Sequence, residues 1–511
     1  MKRFKYILLI NIVTLLGLPF SCSDDFVDVP NKEVLTESSF WLTEQHALQA
    51  LTATYGAMHS FGGSKWTFFE EIYTAMAYRG DDVTNNTAEI YSRALAAFNN
   101  TTEDSGPYNI WRSSYAGIGR ANQILQRVPD MEAVSQESRN VIIAEAKFLR
   151  ALYYFWLVTG FEKVPLVTTF DTDTENLFPN QVEASEIWEQ IEKDLTEAEN
   201  DMLESHPTDW KGRATKGAAK ALLGKVYLFQ EKWVEAEEKL AEVVGMNYLL
   251  LPNYADNFNG NGENGSESVF EIQFSGDRSG GNDERQVFNF QVSPYAFGGW
   301  ELFYPSEWLV EEMKTDLTTD GKISERVYES IFFDDPESEM YSRADDEVRS
   351  YESVSEDLNH PKYFKKYSFN EDINFYNGTN VSLIRFADVL LMYAEALNEN
   401  GKTDLAIAEV NKVRERGKAA PIDAGSMTQT ELRTQIRHHE RPVELAMEFG
   451  IRWFDLYRWQ RGNTAKESIK MTLENHNKPQ AENFQDKHIV YPIPLQEMNI
   501  NRNLNQNHPD W

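Results

Sequence analysis

The chain is poor in cysteine and in positive charge. Cys22 is the one cysteine among 511 residues, which excludes an internal disulfide, a cysteine-based zinc site and a redox pair. Lys and Arg number 49 against 81 Asp and Glu, for a formal charge of −32. So acidic a surface repels phosphate backbones, which argues against nucleic acid as a partner. After residue 20 no apolar run approaches the length of a membrane-spanning helix. A P-loop, a dinucleotide glycine fingerprint, a nucleophile-elbow serine and a zinc-protease helix are all missing. The histidines are scattered, Asp316–Gly321 lacks the calcium-loop pattern, and no metal or cofactor is expected. What the chain does have is apolar and aromatic: 41% of residues are hydrophobic and 13% aromatic. That is far from a disordered composition, and the length suffices to bury about three quarters of the unfolded surface without staples.

The first residues read as an address. Lys2, Arg3 and Lys5 precede a mostly apolar stretch from Tyr6 to Phe20, the pattern of a secretory signal that is too short to span a bilayer. Cys22 stands where such a signal is cut, with Ser21 before it and Ser23, Asp24 and Asp25 after it. This resembles a bacterial lipoprotein signal, in which Cys22 becomes the lipidated N-terminus and anchors the chain to the outer membrane. Acidic residues directly after the cysteine resemble the surface-export signal of Bacteroidetes lipoproteins.

Helical spacing dominates the rest. Ala47, Leu51, Thr54, Tyr55 and Met58 share one face, as do Ile187, Trp188, Ile191, Leu195, Ala198 and Met202. Tyr108–Val128 and Val141–Val158 also read as helices, and the all-round apolar run Ala151–Val158 belongs at the centre of the fold. Leu223-Gly224-x-x-Tyr227 is followed by Ala236, Leu240 and Val243. Tyr393-Ala394-x-x-Leu397 is followed at the same offsets by Ala406, Val410 and Val413. These are the small and large positions of tetratricopeptide helix pairs, with turns at Gln230–Trp233 and Asn398–Lys402. The expected fold is therefore mostly α, a tetratricopeptide-like helical-pair scaffold with a long irregular insertion. The expected divisions are a signal peptide over 1–21, an N-terminal helical region over 22–250, the insertion over 251–383 and a C-terminal helical region over 384–511. Within the insertion, Val269–Phe274, Val287–Val292 and Tyr363–Tyr367 read as short β runs.

Two segments have the chemistry to hold a sugar. Sugar rings present flat C–H faces to aromatic rings and hydroxyls to Asn, Asp, Gln and Arg. Gly62 and Gly63 free a loop that displays Trp66, with Asp81, Asp82, Asn85 and Asn86 following. Gly298 and Gly299 sit among Tyr295, Trp300 and Tyr304. The expected ligand contacts are Trp66, Trp300, Tyr295, Tyr304, Asp82 and Asn85, with Trp308 placed in the core. A rival reading looks for catalysis at Glu440, Glu444 and Glu448, which recur at helical spacing. Arg437, Arg441, Arg452 and Arg458 are interleaved with them and would depress the pKa that an acid catalyst must raise. The block therefore reads as an ion-paired structural clasp.

Several blocks in order carry a family resemblance. They are Phe40-Trp41-x-Thr43-Glu44, Gly80-Asp81-Asp82-Val83 and Arg213-Ala214-Thr215-Lys216-x-Ala218, then Ile384 to Ala396. Glu440-Arg441-Pro442-Val443-Glu444-Leu445-Ala446 continues into Gly450-x-Arg452-Trp453-Phe454-Asp455, and Tyr491-Pro492-Ile493-Pro494 comes near the end. Behind a lipoprotein signal, the chain resembles the SusD/RagB family of outer-membrane lipoproteins. The resemblance implies a tetratricopeptide scaffold and a cell-surface protein that binds oligosaccharide or polysaccharide without catalysis. It also implies a partner, a SusC-like TonB-dependent transporter. The alternatives are a non-glycan nutrient such as peptide on the same scaffold, a surface glycoside hydrolase, or a lid with no ligand of its own.

Overall fold

A computed structural model describes residues 40–59, 74–85, 90–171, 177–277, 285–368 and 377–511. The scaffold is a row of long helices: α1 (Glu44–Tyr55), α2 (Ser105–Arg127), α3 (Gln136–Phe161), α4 (Ala184–Asp201), α5 (Lys216–Phe229), α6 (Trp233–Val244), α7 (Phe386–Glu399) and α8 (Thr403–Arg416). Each from α2 to α8 packs on the next, and α7 docks on α6 although the whole irregular region separates them in sequence. The starts are set by side chains that accept otherwise orphaned amides: Thr43 for α1, Ser135 for α3, Thr215 for α5 and a Glu183/Glu186 capping box for α4. From Phe148 to Phe161 every residue of α3 is buried, as its all-round apolar run requires.

The helix pairs close as the small residues dictate. A Cβ added at Gly224 would lie 2.7 Å from the Leu240 side chain, so α5 and α6 touch where the sequence offers no side chain. Ala394 and Ala406, at equivalent positions of α7 and α8, are fully buried. The fold is the mostly α, tetratricopeptide-like scaffold that the spacing predicts.

Short paired strands fill the region between α6 and α7, joined by one strand that precedes α2 in the chain. β1 (Val83–Asn85) pairs with β3 (Phe303–Pro305), β2 (Ser268–Ile272) with β8 (Val381–Arg385), β4 (Ile331–Phe333) with β7 (Lys362–Phe364), and β5 (Glu339–Ser342) with β6 (Glu347–Ser350), all antiparallel. The β2–β8 pair ties the start of the irregular region to its end and hands the chain directly to α7. Two expectations need correction. Val287–Val292 is not a strand, because Phe288–Val292 is a short helix. Residues 287, 288, 289, 291 and 292 are all buried, and so short a buried run does not separate helix from strand by periodicity alone. Trp308 is half-buried rather than core, and its ring stacks on His476 at 3.8 Å.

Candidate functional site

The β1–β3 pairing brings the described end of the first candidate segment, at Asp81–Asn85, against the second. Asn85 lies opposite Phe303 and Thr84 opposite Tyr304, partners some 220 residues apart. The Tyr78 ring stacks on Phe303 at 4.5 Å, and its hydroxyl donates to the Leu302 carbonyl at 3.1 Å. The segment is clamped from behind. Lys478 donates to the Tyr78 and Val83 carbonyls, each at 2.7 Å, and Arg452 forks the Asp81 carboxylate at 2.6 and 2.7 Å.

On this base stands the loop Ser293–Glu301. The Trp300 amide donates to the Phe290 carbonyl at 2.6 Å, Leu302 to Gln291 at 2.8 Å and Gly299 to Pro294 at 2.8 Å. Glycine is needed at both of its glycine positions: Gly298 has φ 81°, and a Cβ at Gly299 would collide with the Ser293 carbonyl. The loop is locked by Glu301, which is 1% exposed and itself left-handed at φ 51°. Its carboxylate accepts from the Tyr295 amide at 2.8 Å, the Tyr363 hydroxyl at 3.1 Å, the Asn359 amide at 3.2 Å and the Tyr304 hydroxyl at 3.3 Å. These four donors occupy both carboxyl oxygens.

Of the predicted contacts, Tyr295 is 53% exposed. Trp300 is half-buried and leans on Phe290, with ring centroids 5.5 Å apart, and the Arg343 guanidinium lies 4.4 Å over Phe290. Asn85 is half-buried. Tyr304 and Asp82 lie in the foundation, at 7% and 4% exposure, and Tyr304 stacks on His360 at 4.0 Å. Burial, and then the neighbouring Asp81 charge, push the Asp82 carboxyl up to about 7, and its Oδ1 has no hydrogen-bond partner among the described residues. Trp66, Asn86 and Cys22 lie outside the described residues. Glu301, Phe290 and Arg343 escaped the sequence reading. Phe290 lies just upstream of Tyr295 among Phe288, Tyr295, Phe297 and Trp300 and could have been found there, whereas nothing local marks Glu301 or Arg343.

The carboxylates of the C-terminal block serve a different purpose. The backbone turns extended at Ala446, so Glu448 leaves the helical row, and all three side chains are buried. Glu440 pairs with Arg414 at 2.6 Å and Arg326 at 3.1 Å, and Glu448 pairs with Arg385 at 2.6 Å and Lys366 at 2.7 Å. Glu444 takes Arg385 at 2.6 Å, Arg326 at 3.4 Å and Arg416. Burial pushes Glu444 up, but Arg416, Arg385 and Arg326 outweigh it and hold it at about 2. That is the wrong direction for a proton donor. The clasp is real, but the interleaved arginines are not its partners. Arg437 pairs with Glu467, Arg441 with Asp388 and Asp455, Arg452 with Asp81, and Arg458 with Glu395 and Asp455.

Comparison with known proteins bears on the whole chain. The SusD family model matches residues 266–511, and a second model, described as starch-binding and associating with the outer membrane, matches residues 25–228. A SusD-like protein of Formosa agariphila is 27% identical over 96% of this chain and 97% of its own length. The starch-binding protein SusD of Bacteroides thetaiotaomicron is 25% identical over 71% of this chain and 72% of its own. A SusD superfamily protein from Bacteroides vulgatus shares the fold with a TM-score of 0.80 at 24% identity, covering 92% of this chain and 100% of that one. A laminarin-binding SusD-like protein superposes with a TM-score of 0.73 at 26% identity, over 92% of this chain and 100% of its own. With family models matching residues 25–228 and 266–511, on a tetratricopeptide-like scaffold, the chain belongs to the SusD family.

Proposed function

We propose that the chain is a cell-surface lipoprotein that captures an oligosaccharide or polysaccharide and delivers it to a SusC-like TonB-dependent transporter, with no bond made or broken. The observation that carries this reading is the loop Ser293–Glu301, which holds Tyr295 and Trp300 at the surface and is itself held by backbone hydrogen bonds and by Glu301. A sugar meeting a platform already fixed in place does not have to order it, so stacking translates into affinity. The starch-binding and laminarin-binding relatives support a carbohydrate as the ligand class. Trp300 and Tyr295 would supply the stacking faces and Asn85 a hydroxyl contact, while Asp82 and Tyr304 would act from beneath by fixing β1 and β3. Trp66 is a further candidate face. Cys22 would bear the lipid, and the family's association with the outer membrane supports that location. Among the described residues no helix is long and apolar enough to cross a membrane.

Native electrophoresis through gels cast with laminarin or starch tests the reading. The lipid-free protein should be retarded by at least one polysaccharide, and the Trp300→Ala, Tyr295→Ala double variant should run as in a plain gel. Equal retardation of both proteins would remove the site from this loop.

A further inference from the structure

A second cleft lies away from the aromatic loop. Its volume is about 750 Å³, within the range of small-molecule sites. It opens between the turn that leads into α5, the end of α6 and the start of β2, and no residue of Ser293–Glu301 or β1 lines it. A smaller cavity of about 270 Å³ adjoins it and shares Lys211, Gly212, Arg213 and Glu271. At the junction the backbone of Gly212 runs at φ 97°, and a Cβ there would enter the Gln273 amide. The two hollows therefore meet where the chain carries no side chain.

The walls are built, not incidental. Arg213 is oriented by a two-pronged bond to buried Glu145, at 2.6 and 2.8 Å, which the Tyr55 hydroxyl also joins at 2.7 Å. This fork uses Nε and Nη2 and leaves Nη1 outside it. Asn264 and Gln273 exchange amide hydrogen bonds at 2.8 and 3.1 Å. Glu271 accepts from the Asn264 backbone at 3.0 Å and from Asn380 at 3.2 Å, and burial pushes its carboxyl upward. Tyr248 forms an aromatic wall: it rests against Gly217, where a Cβ would strike its ring, and lies near-parallel to Phe386 at 6.0 Å. Trp210 lines the smaller cavity beside the junction, with the Arg213 guanidinium 4.9 Å over its ring, so its indole senses any change at Arg213.

The chemistry narrows the ligand. Lys211 and Arg213 meet Glu204 and Glu271 across one space, so a phosphate or a carboxylate would face like charge, and so would a cation. An uncharged polyol can give and take hydrogen bonds with both signs while a ring lies on Tyr248. We propose that this cleft is a second carbohydrate subsite, which takes a short uncharged oligosaccharide independently of the aromatic loop. The proposal takes its ligand class from the reading above. Two subsites on one rigid body would hold a polymer more tightly than either alone.

Indole N–H resonances separate the two sites. The lipid-free protein would be titrated with maltotriose and laminaritriose, with the Trp210 and Trp300 signals assigned through Trp210→Phe and Trp300→Ala. The Trp210 signal should shift saturably with one of them, keep its midpoint in Trp300→Ala, and weaken about fivefold or more in Asn247→Trp, which fills the mouth of the cleft at an exposed position. Lys211→Ala, also exposed, should raise the midpoint in the same direction and guards against misfolding of the bulkier variant. A Trp300 shift with a silent Trp210 would overturn the subsite and leave the aromatic loop standing. A Trp210 shift with a silent Trp300 would uphold the subsite and overturn the loop. Silence at both would overturn both, and loss of the Trp210 shift in Trp300→Ala would overturn their independence.

Discussion

Replacing Glu444 by Gln removes the central charge of the clasp. Glu444 is fully buried and bonded to Arg385, Arg326 and Arg416. Its carboxyl is held at about 2 against an ordinary 4.5, a displacement worth about 3 kcal/mol. Removing one partner from a buried ion pair costs about 3–5 kcal/mol, because the remaining charges stay buried. Gln can still accept a hydrogen bond, so a loss of about 3 kcal/mol in the unfolding free energy is expected, read from urea melts at pH 7. The pH dependence isolates the cause. Since the folded value lies below the ordinary one, the stabilisation is complete above about pH 5 and is lost as pH falls toward about 2. The gap between wild type and Glu444→Gln should therefore close across that window. Glycan affinity should not change, because the clasp shares no residue with the loop. Equal midpoints at pH 7 would refute the reasoning, and a gap that stays constant down to pH 3 would assign the loss to packing rather than charge.

Four other perturbations probe separate links. Trp300→Ala should weaken glycan binding by about 1–3 kcal/mol, the range for stacked aromatic contacts, measured by titration calorimetry; unaltered affinity would shift attention to Trp66. Glu301→Gln leaves one oxygen where two now accept four bonds, so amides of residues 295–301 should lose about 1–2 kcal/mol of protection from hydrogen exchange. Unchanged loop protection would contradict the locking role. The Asp82 carboxyl is raised, so its contribution is present at low pH and lost as pH rises toward about 7. Asp82→Asn should therefore gain on wild type by on the order of 1 kcal/mol per pH unit between about pH 5 and 7, and parallel stability curves would rule this out. Cys22→Ala should move the protein from membrane to soluble fractions, and an unchanged membrane fraction would end the lipoprotein reading.

The scaffold was legible because its signals are local. Gly224 and Ala236, or Ala394 and Ala406, lie within one helical hairpin, and their offsets state directly where two helices can meet. The Gly298-Gly299 turn was legible for the same reason. The ion pairs were not. Arg452 reaches Asp81 across 371 positions, Arg385 reaches Glu444 across 59 and Arg326 reaches Glu440 across 114. Nearest-neighbour spacing proposed the wrong arginines because burial makes any complementary charge a partner, whatever its place in the chain. Glu301 shows the same limit at the site itself. Its partners Tyr363, on β7, and Asn359, just before it, are some 60 residues away in the chain, so its role exists only in three dimensions. Asp82 and Tyr304 have residue types suited to a sugar, but the β1–β3 pairing turns them into the base of the platform instead.

The most direct measurement is isothermal titration of the lipid-free protein with a panel of soluble glycans that includes starch and laminarin oligosaccharides. A capture protein gives heat that saturates with at least one of them and falls away in Trp300→Ala. Heat that continues at a steady rate would signal turnover, and no heat with any glycan would contradict carbohydrate capture by this chain alone.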